Sequence, residues 1–418
     1  MTLPDRTVLD NGAILISQAL PSNPSIAFRG SLPAGVAQEG KEFGVAEFMS
    51  RLLMSGTRRS SASKLADRLE SMGAALEFFC TEESLGFSGR CTRATLGEVM
   101  RVLVECLAQP SFPAQEVERV RGELLNDLRI ELDDTRQRAF RDLARIVYPD
   151  RHPYGRDPKG SEARIRSLRR AKVVRFHADH VGADGLVLAI AGDLDRLLLE
   201  KSVEDSFAML PTGDEPAPIP RVPPYRRQDS SVLMAHKAQV DIAIGGPAVP
   251  RRHEDYYTLY LANLLFGRIG LFGRLGRNLR DEQGLAYYAY SSLEARTAGG
   301  MWTISAGVNP ANLDRALRGI RAELDRLRTE PFTSEEIADG KDNQIGSLVV
   351  GMERSAEVAT ELHRIEYYGL GLDFLERYAD IIRELAPETV RGIGAKYFDA
   401  SNASLVVAGP IGREKHAL

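Results

Sequence analysis

Cysteine, charge imbalance and long apolar runs are all scarce in this chain of 418 residues. Its three cysteines, Cys80, Cys91 and Cys106, are an odd set with no Cys-x-x-Cys pair. That excludes a disulfide framework and a cysteine metal cluster, and suits buried thiols in a reducing compartment. No window approaches the ~18–20 apolar residues of a membrane-spanning helix. The 54 basic and 58 acidic residues leave a net charge of −4, and the arginines are spread along the chain rather than gathered into a basic tract. Neither nucleic acid nor an anionic membrane surface is therefore an expected partner. The opening Met1-Thr-Leu-Pro-Asp-Arg6 lacks the basic and then apolar regions of a secretory signal. Cytoplasm is the expected compartment, or periplasm if a leader has been trimmed.

What is present is a globular composition, 43% hydrophobic and 27% charged. The length suits two domains of about 200 residues each. The most informative stretch is Gly44-Val-Ala-Glu-Phe-Met-Ser-Arg-Leu-Leu-Met-Ser-Gly-Thr57. Val45, Phe48, Met49, Leu52 and Leu53 recur at helical spacing, predicting a buried helix that opens at Gly44 and ends near Gly56. Glu47, Ser50 and Arg51 occupy the i, i+3 and i+4 positions of one side of that helix. In a zinc peptidase with the inverted motif these slots read His, Glu and His: two imidazoles hold the metal and the glutamate activates water. An arginine has no lone pair to give a metal, and a serine is no general base at neutral pH. The frame of a catalytic helix is present without its chemistry.

Along the chain, the Asp10-Asn-Gly12 turn precedes a strand at 13–17, and strands follow at 25–31, 76–81, 85–91 and 186–191. Helices are predicted over 63–72, 94–108, 114–140 and 162–180. Pro211, Pro216, Pro218, Pro220, Pro223 and Pro224 form neither helix nor central strand, so 211–228 reads as a linker between domains 1–210 and 229–418. The second half repeats the first. The strand ending at Gly192 has a counterpart ending at Gly409, 217 positions later (409 − 192). Phe112-Pro-Ala-Gln-Glu116 matches Phe332-Thr-Ser-Glu-Glu336 at an offset of 220 (332 − 112), where Thr333 and Glu336 form a capping box. Gly73-Ala-Ala-Leu-Glu matches Gly284-Leu-Ala-Tyr-Tyr at 211 (284 − 73). The expected fold class is α+β, two tandem homologous domains, each a mixed or antiparallel sheet with helices packed on one face.

With the degenerate helix, the duplication and Arg280-Asp-Glu-Gln-Gly-Leu-Ala-Tyr287, nearly the whole chain resembles the pitrilysin/insulinase family of zinc metallopeptidases. The likeness is to the short two-domain, clam-like form that includes the mitochondrial processing peptidase. In that family the third zinc ligand is a glutamate on a later helix. The frame Asn126-Asp127-Leu-Arg-Ile130 resembles that segment and places Asp127, one methylene shorter, at the ligand position. The resemblance thus implies no zinc site in this chain and a member that has lost catalysis. Arg280 and Tyr287 match the family's pair that reaches the active site from the second domain. An arginine fork can engage a peptide carbonyl or carboxylate, and a phenol can donate to an oxyanion. The plainer alternative pairs Arg280 with Asp281 or Glu282 at the surface and half-buries Tyr287. Taken together, the resemblance implies a non-catalytic subunit that supplies Arg280 and Tyr287 to a homologous zinc-bearing partner, in a heterodimer or higher assembly, acting on unfolded peptide. A structural or peptide-binding protein of the same fold is the rival.

Three weaker signals remain. His177 and His180 are spaced as a metal pair but sit at a helix end, where packing and capping are expected. The run Gly267–Gly276 has neither a Walker nor a Rossmann arrangement and reads as a loop or a close-packed helix start. The strand at 76–81 is a candidate edge that a peptide would extend.

Overall fold

The computed structural model describes residues 3–411, apart from 42, 150 and 269–272. Six strands form the first sheet: β1 (Asp5–Val8), β2 (Ile14–Ala19), β3 (Ser25–Leu32), β4 (Ala75–Cys80), β5 (Leu85–Thr92) and β6 (Val187–Gly192). Their spatial order is β1-β2-β6-β3-β5-β4. The pairing is antiparallel except for β2 with β6, so the sheet is mixed. The second sheet holds β7 (Ser230–Leu233), β8 (Val240–Ala248), β9 (Ala286–Ala295), β10 (Gly300–Val308) and β11 (Ser404–Gly409), in the order β7-β11-β8-β10-β9. Here too only one pair, β7 with β11, is parallel. Read position by position, the second order reproduces β2-β6-β3-β5-β4. The α+β class and the duplication expected above are both present.

The repeat holds at the level of element starts. β6 and β11 begin 217 residues apart (404 − 187), and β4 and β9 begin 211 apart (286 − 75). The helices Ala114–Asp133 and Ser334–Gly351 begin 220 apart (334 − 114). Even a polar detail recurs. Arg170 Nε donates to the Phe112 carbonyl (2.6 Å) and Arg391 Nε to the Phe332 carbonyl (2.9 Å), each phenylalanine being buried.

The compact units are not the continuous halves 1–210 and 229–418. One comprises residues 1–128, 156–219 and 349–376; the other comprises 129–155, 220–348 and 377–418. The change at Ile219/Pro220 falls within the irregular stretch 211–229, where prolines bar regular structure. The exchange has a packing reason. In the first unit the helix Ser355–Tyr367 lies on the sheet, with Val358, Ala359 and Leu362 against Ile16, Ala189 and Ala191. In the second the helix Thr135–Val147 lies on β8 and β11. The main helical layer of that unit (Tyr256–Asn263, Leu313–Thr329, Pro387–Tyr397) packs on Ile242, Ile244, Trp302, Ile304 and Val407. Strand neighbours in sequence point to opposite faces, so the added helix covers the side that Asp241, Ala243 and Gly245 share.

Local differences from expectation have plain causes. The helix expected over 114–140 is two helices, because Asp134 adopts an extended conformation and its side chain accepts from Gln137 N (2.7 Å) as the cap of a new start. The helix expected over 162–180 breaks at Leu168 and Arg169, both extended. β1 and the helix Arg196–Phe207 were not foreseen.

Candidate functional site

The predicted helix forms over Val45–Leu52, ending at Leu52 rather than near Gly56, with Gly44 as its N-cap at φ 91°, a left-handed conformation that favours glycine. A side chain at residue 44 would also meet the Lys159 carbonyl oxygen at 2.9 Å. Val45, Phe48, Met49 and Leu52 are buried. Each contributes about 1.5–3 kcal/mol of apolar burial, which fixes the helix in place and with it the side that carries Glu47, Ser50 and Arg51.

That side is occupied by an ion-pair triad. Arg51 Nε lies 2.7 Å from Glu47 Oε1, and Arg51 Nη1 lies 2.6 Å from Asp127 Oδ2 on the helix Ala114–Asp133. Burial lowers the Arg51 pKa, but the hydrogen bond to Asp127 and the Glu47 charge outweigh it and raise the pKa overall. Ser50 is buried, and its hydroxyl donates to the Glu47 carbonyl within the same turn (2.8 Å). The fold therefore brings together Glu47, Arg51 and Asp127, aligned as the frame predicts. Through Arg51, Asp127 links the helix Ala114–Asp133 to the helix Val45–Leu52. These residues do not fit a zinc ion. The cation between the two carboxylates is a guanidinium with no lone pair to offer, and both carboxylates are already engaged by it. Among the described residues no group of three His, Cys, Asp or Glu side chains converges as a metal site.

Sequence reasoning missed Glu39. Its Oε1 accepts from the backbone N–H groups of Gly44 and Ala46, both at 2.9 Å, so it caps the helix from a distance. Its Oε2 is buried without a hydrogen-bond partner. Burial pushes this carboxyl up to about 8, against the opposing pull of the two N–H donors. A glutamate five residues before a helix-opening glycine was the available signal.

Arg280 lies in the helical turn Arg277–Glu282, and Gly284 at φ 60° then reverses the chain into β9. Its Nε donates to Asp281 (3.2 Å), the surface pairing anticipated as the plainer reading. Tyr287 departs from that reading. β9 pairs with β10 in continuous register down to Gly307 opposite Tyr288, and then Val308 stands opposite Ala286. Tyr287 is the extra residue of a β-bulge. By strand alternation from the buried Ala289 and Ser291, position 287 should point into the core. The bulge gives that place to Ala286 and turns Tyr287 out, to 64% exposure. Bulges re-aim side chains in this way and are frequent beside active sites. The corresponding β4 runs in unbroken register with β5.

The remaining signals resolve simply. His177 is held by the Leu107 carbonyl (2.6 Å) and packs edge-on against Phe112, and burial lowers its pKa. His180 packs against Phe176. The three cysteines are free thiols, with Cys91 and Cys106 buried and Cys80 partly so. β4 is an edge strand. Of the run Gly267–Gly276, residues 269–272 lie outside the described residues; Gly267 abuts Ser291, where a Cβ would come within 2.7 Å of the hydroxyl.

A duplicated two-domain α+β fold in which Glu47, Arg51 and Asp127 close into an internal salt bridge is the class these features define. Residues 16–151 match the model of insulinase (peptidase family M16), and residues 167–344 match the model of the peptidase M16 inactive domain. The chain belongs to this pitrilysin/insulinase family. Among curated relatives it is similar to an uncharacterized zinc protease of Streptomyces coelicolor, 25% identical over 99% of this chain and 90% of that one. One from Mycobacterium tuberculosis H37Rv is also 25% identical, over 99% and 94%. Among solved structures, a peptidase M16 inactive domain from Pseudomonas fluorescens superposes with a TM-score of 0.92 at 23% identity, over 99% of this chain and all of that one. A protease from Helicobacter pylori gives 0.88 at 19% identity, over 98% and 100%. These superpositions speak for the fold.

Proposed function

We propose that this chain is the non-catalytic subunit of a heteromeric zinc metalloendopeptidase and lends Arg280 and Tyr287 to a homologous partner that carries the zinc. The observation that carries this reading is a contrast within the one chain. The metal positions are closed by Arg51, while Tyr287 is turned out of its strand by a bulge that its counterpart β4 lacks. The match of residues 167–344 to the family's inactive-domain model supports it. Bound peptide would take hydrogen bonds from the Arg280 fork on a carbonyl or carboxylate. The Tyr287 phenol would donate to the oxygen that gains negative charge when water adds to the scissile carbonyl. This chain needs no cofactor of its own for either task. Free thiols at Cys80, Cys91 and Cys106 favour a reducing compartment, the cytoplasm in the first instance.

The rival, a structural or peptide-binding protein of the same fold, draws on the Arg280–Asp281 pairing, which gives Arg280 a role without any substrate. Affinity purification of the tagged chain from its source cells, followed by zinc analysis of the separated subunits, tells the two apart. The proposal expects a family member with an intact His-x-x-Glu-His run to come with it, and expects zinc in that subunit alone. About one zinc per copy of this chain, with chelator-sensitive peptide hydrolysis by it alone, overturns the reading.

A further inference from the structure

Beside the bulge lies an arrangement that reaches across three strands. In the second sheet Gly307 of β10 stands between Asp241 of β8 and Tyr288 of β9, paired in register with both. Because residue 307 has no side chain, the Tyr288 hydroxyl passes over β10 and donates to the Asp241 carboxylate. A Cβ at 307 would come within 2.5 Å of Tyr288 Cε1, 2.6 Å of Gln239 Nε2 and 3.1 Å of Asp241 Oδ1. Asp241 is 1% exposed and receives two further donors, the Thr135 hydroxyl and Gln239 Nε2 at 3.0 Å. Arg136 covers the same side, with its guanidinium 5.0 Å from the ring centre of Tyr288 and 5.2 Å from that of Tyr290, and donates to the Tyr290 hydroxyl. A buried carboxylate with three donors and a nearby guanidinium is a satisfied node, and such nodes specify one geometry.

We infer that Asp241, Gly307 and Tyr288 form a lock that holds the β9 bulge and so keeps Tyr287 directed outward for use on peptide. Asp241 and Tyr288 are positioning residues, since they act through Tyr287. The neighbours Tyr287 and Tyr288 have divided roles: one phenol is spent as an anchor so that the next is presented. Burial, with the Asp241 charge, pushes the Tyr288 pKa up, which keeps its hydroxyl a donor throughout the physiological range. Thr135 and Arg136 open the helix Thr135–Val147, so the first turn of that helix is a second brace on the same node.

The use on peptide rests on the proposed function; the lock itself does not, and the test separates them. In 3-fluorotyrosine-labelled protein, the fluorine resonance of Tyr287 is assigned by its loss in Tyr287→Phe. It should move from its wild-type position in both Gly307→Ala and Tyr288→Phe, the second keeping the fold if the first does not. An unmoved Tyr287 resonance in folded Tyr288→Phe protein overturns the lock whatever the activity. In the reconstituted complex with the zinc-bearing partner, Tyr288→Phe should lower kcat about ten- to a hundredfold, as a misplaced catalytic group does. It should have no further effect in a Tyr287→Phe background. An equal fall in both backgrounds overturns the positioning role. If Tyr287→Phe alone leaves kcat at the wild-type level, the functional reading fails while the resonance still judges the lock.

Discussion

On the helix Val45–Leu52 the polar side chains are spent on one another, whereas on β9 the neighbouring tyrosines divide the work and one is left free. Arg51 draws Glu47 and Asp127 into a closed triad, which satisfies the charges and leaves nothing for a ligand metal. At Tyr287 a bulge keeps a phenol exposed, with no hydrogen bond to any described residue, and an adjacent buried network supports that exposure. Self-complementary pairing needs no support beyond itself, whereas a group held unpaired needs supporting structure around it. That difference separates the two regions without reference to any substrate.

The comparison can be broken at several points, the largest effect lying beneath the closed site. Glu39 holds its proton in the folded protein up to about pH 8, whereas the unfolded chain releases it near the ordinary carboxylate value. The folded state thus binds more protons between those limits, and stability falls as pH rises through that window, by up to about 1.4 kcal/mol per pH unit. Glu39→Gln keeps an acceptor for Gly44 and Ala46 and removes this slope. Urea melts at pH 5 and pH 8 should show the variant gaining on the wild type by a few kcal/mol; parallel stability curves for the two proteins contradict it. Next in size is the triad itself. Arg51→Ala leaves two carboxylates facing each other in a partly buried setting. A loss of about 1–2 kcal/mol is expected, between the values for exposed and for buried pairs. A change smaller than 0.5 kcal/mol, on the usual scale of surface substitutions, would mean that the triad is only an incidental surface pairing. The smallest effect sharpens the contrast: Tyr287→Phe in the isolated chain should shift stability by no more than about 0.5 kcal/mol, because the hydroxyl it removes is solvent-facing and has no hydrogen bond to any described residue.

Much of this fold was legible in the sequence because it is duplicated. Offsets read from Gly192 and Gly409, from Phe112 and Phe332, and from Gly73 and Gly284 coincide with the starts of matching strands and helices. The metal-site frame was legible too: helical spacing sets Glu47, Ser50 and Arg51 on one side of a helix, and the family resemblance of Asn126–Ile130 adds Asp127 from a later one. What escaped depends on distant partners. No local pattern says that Thr135–Val147 lies on β8 or that Ser355–Tyr367 lies on β2, β3 and β6. The break before Thr135 was readable, since Asp134 with Gln137 three residues on is a capping signature. The bulge was not readable, because alternation along β9 turns position 287 toward the core. The residues of the inferred lock, a glycine on β10 and a carboxylate on β8, lie in other strands.

The central claim is that this chain completes a partner's active site through Tyr287, and turnover of the reconstituted complex tests it most directly. Tyr287→Phe removes one hydroxyl from a solvent-facing position and should leave assembly and melting temperature unchanged. Loss of a donor to a developing oxyanion is worth roughly 2.7–4 kcal/mol, so kcat should fall by about a hundred- to a thousandfold. A complex that assembles with Tyr287→Phe and cleaves peptide at the wild-type rate would contradict the account and leave the structural reading in its place.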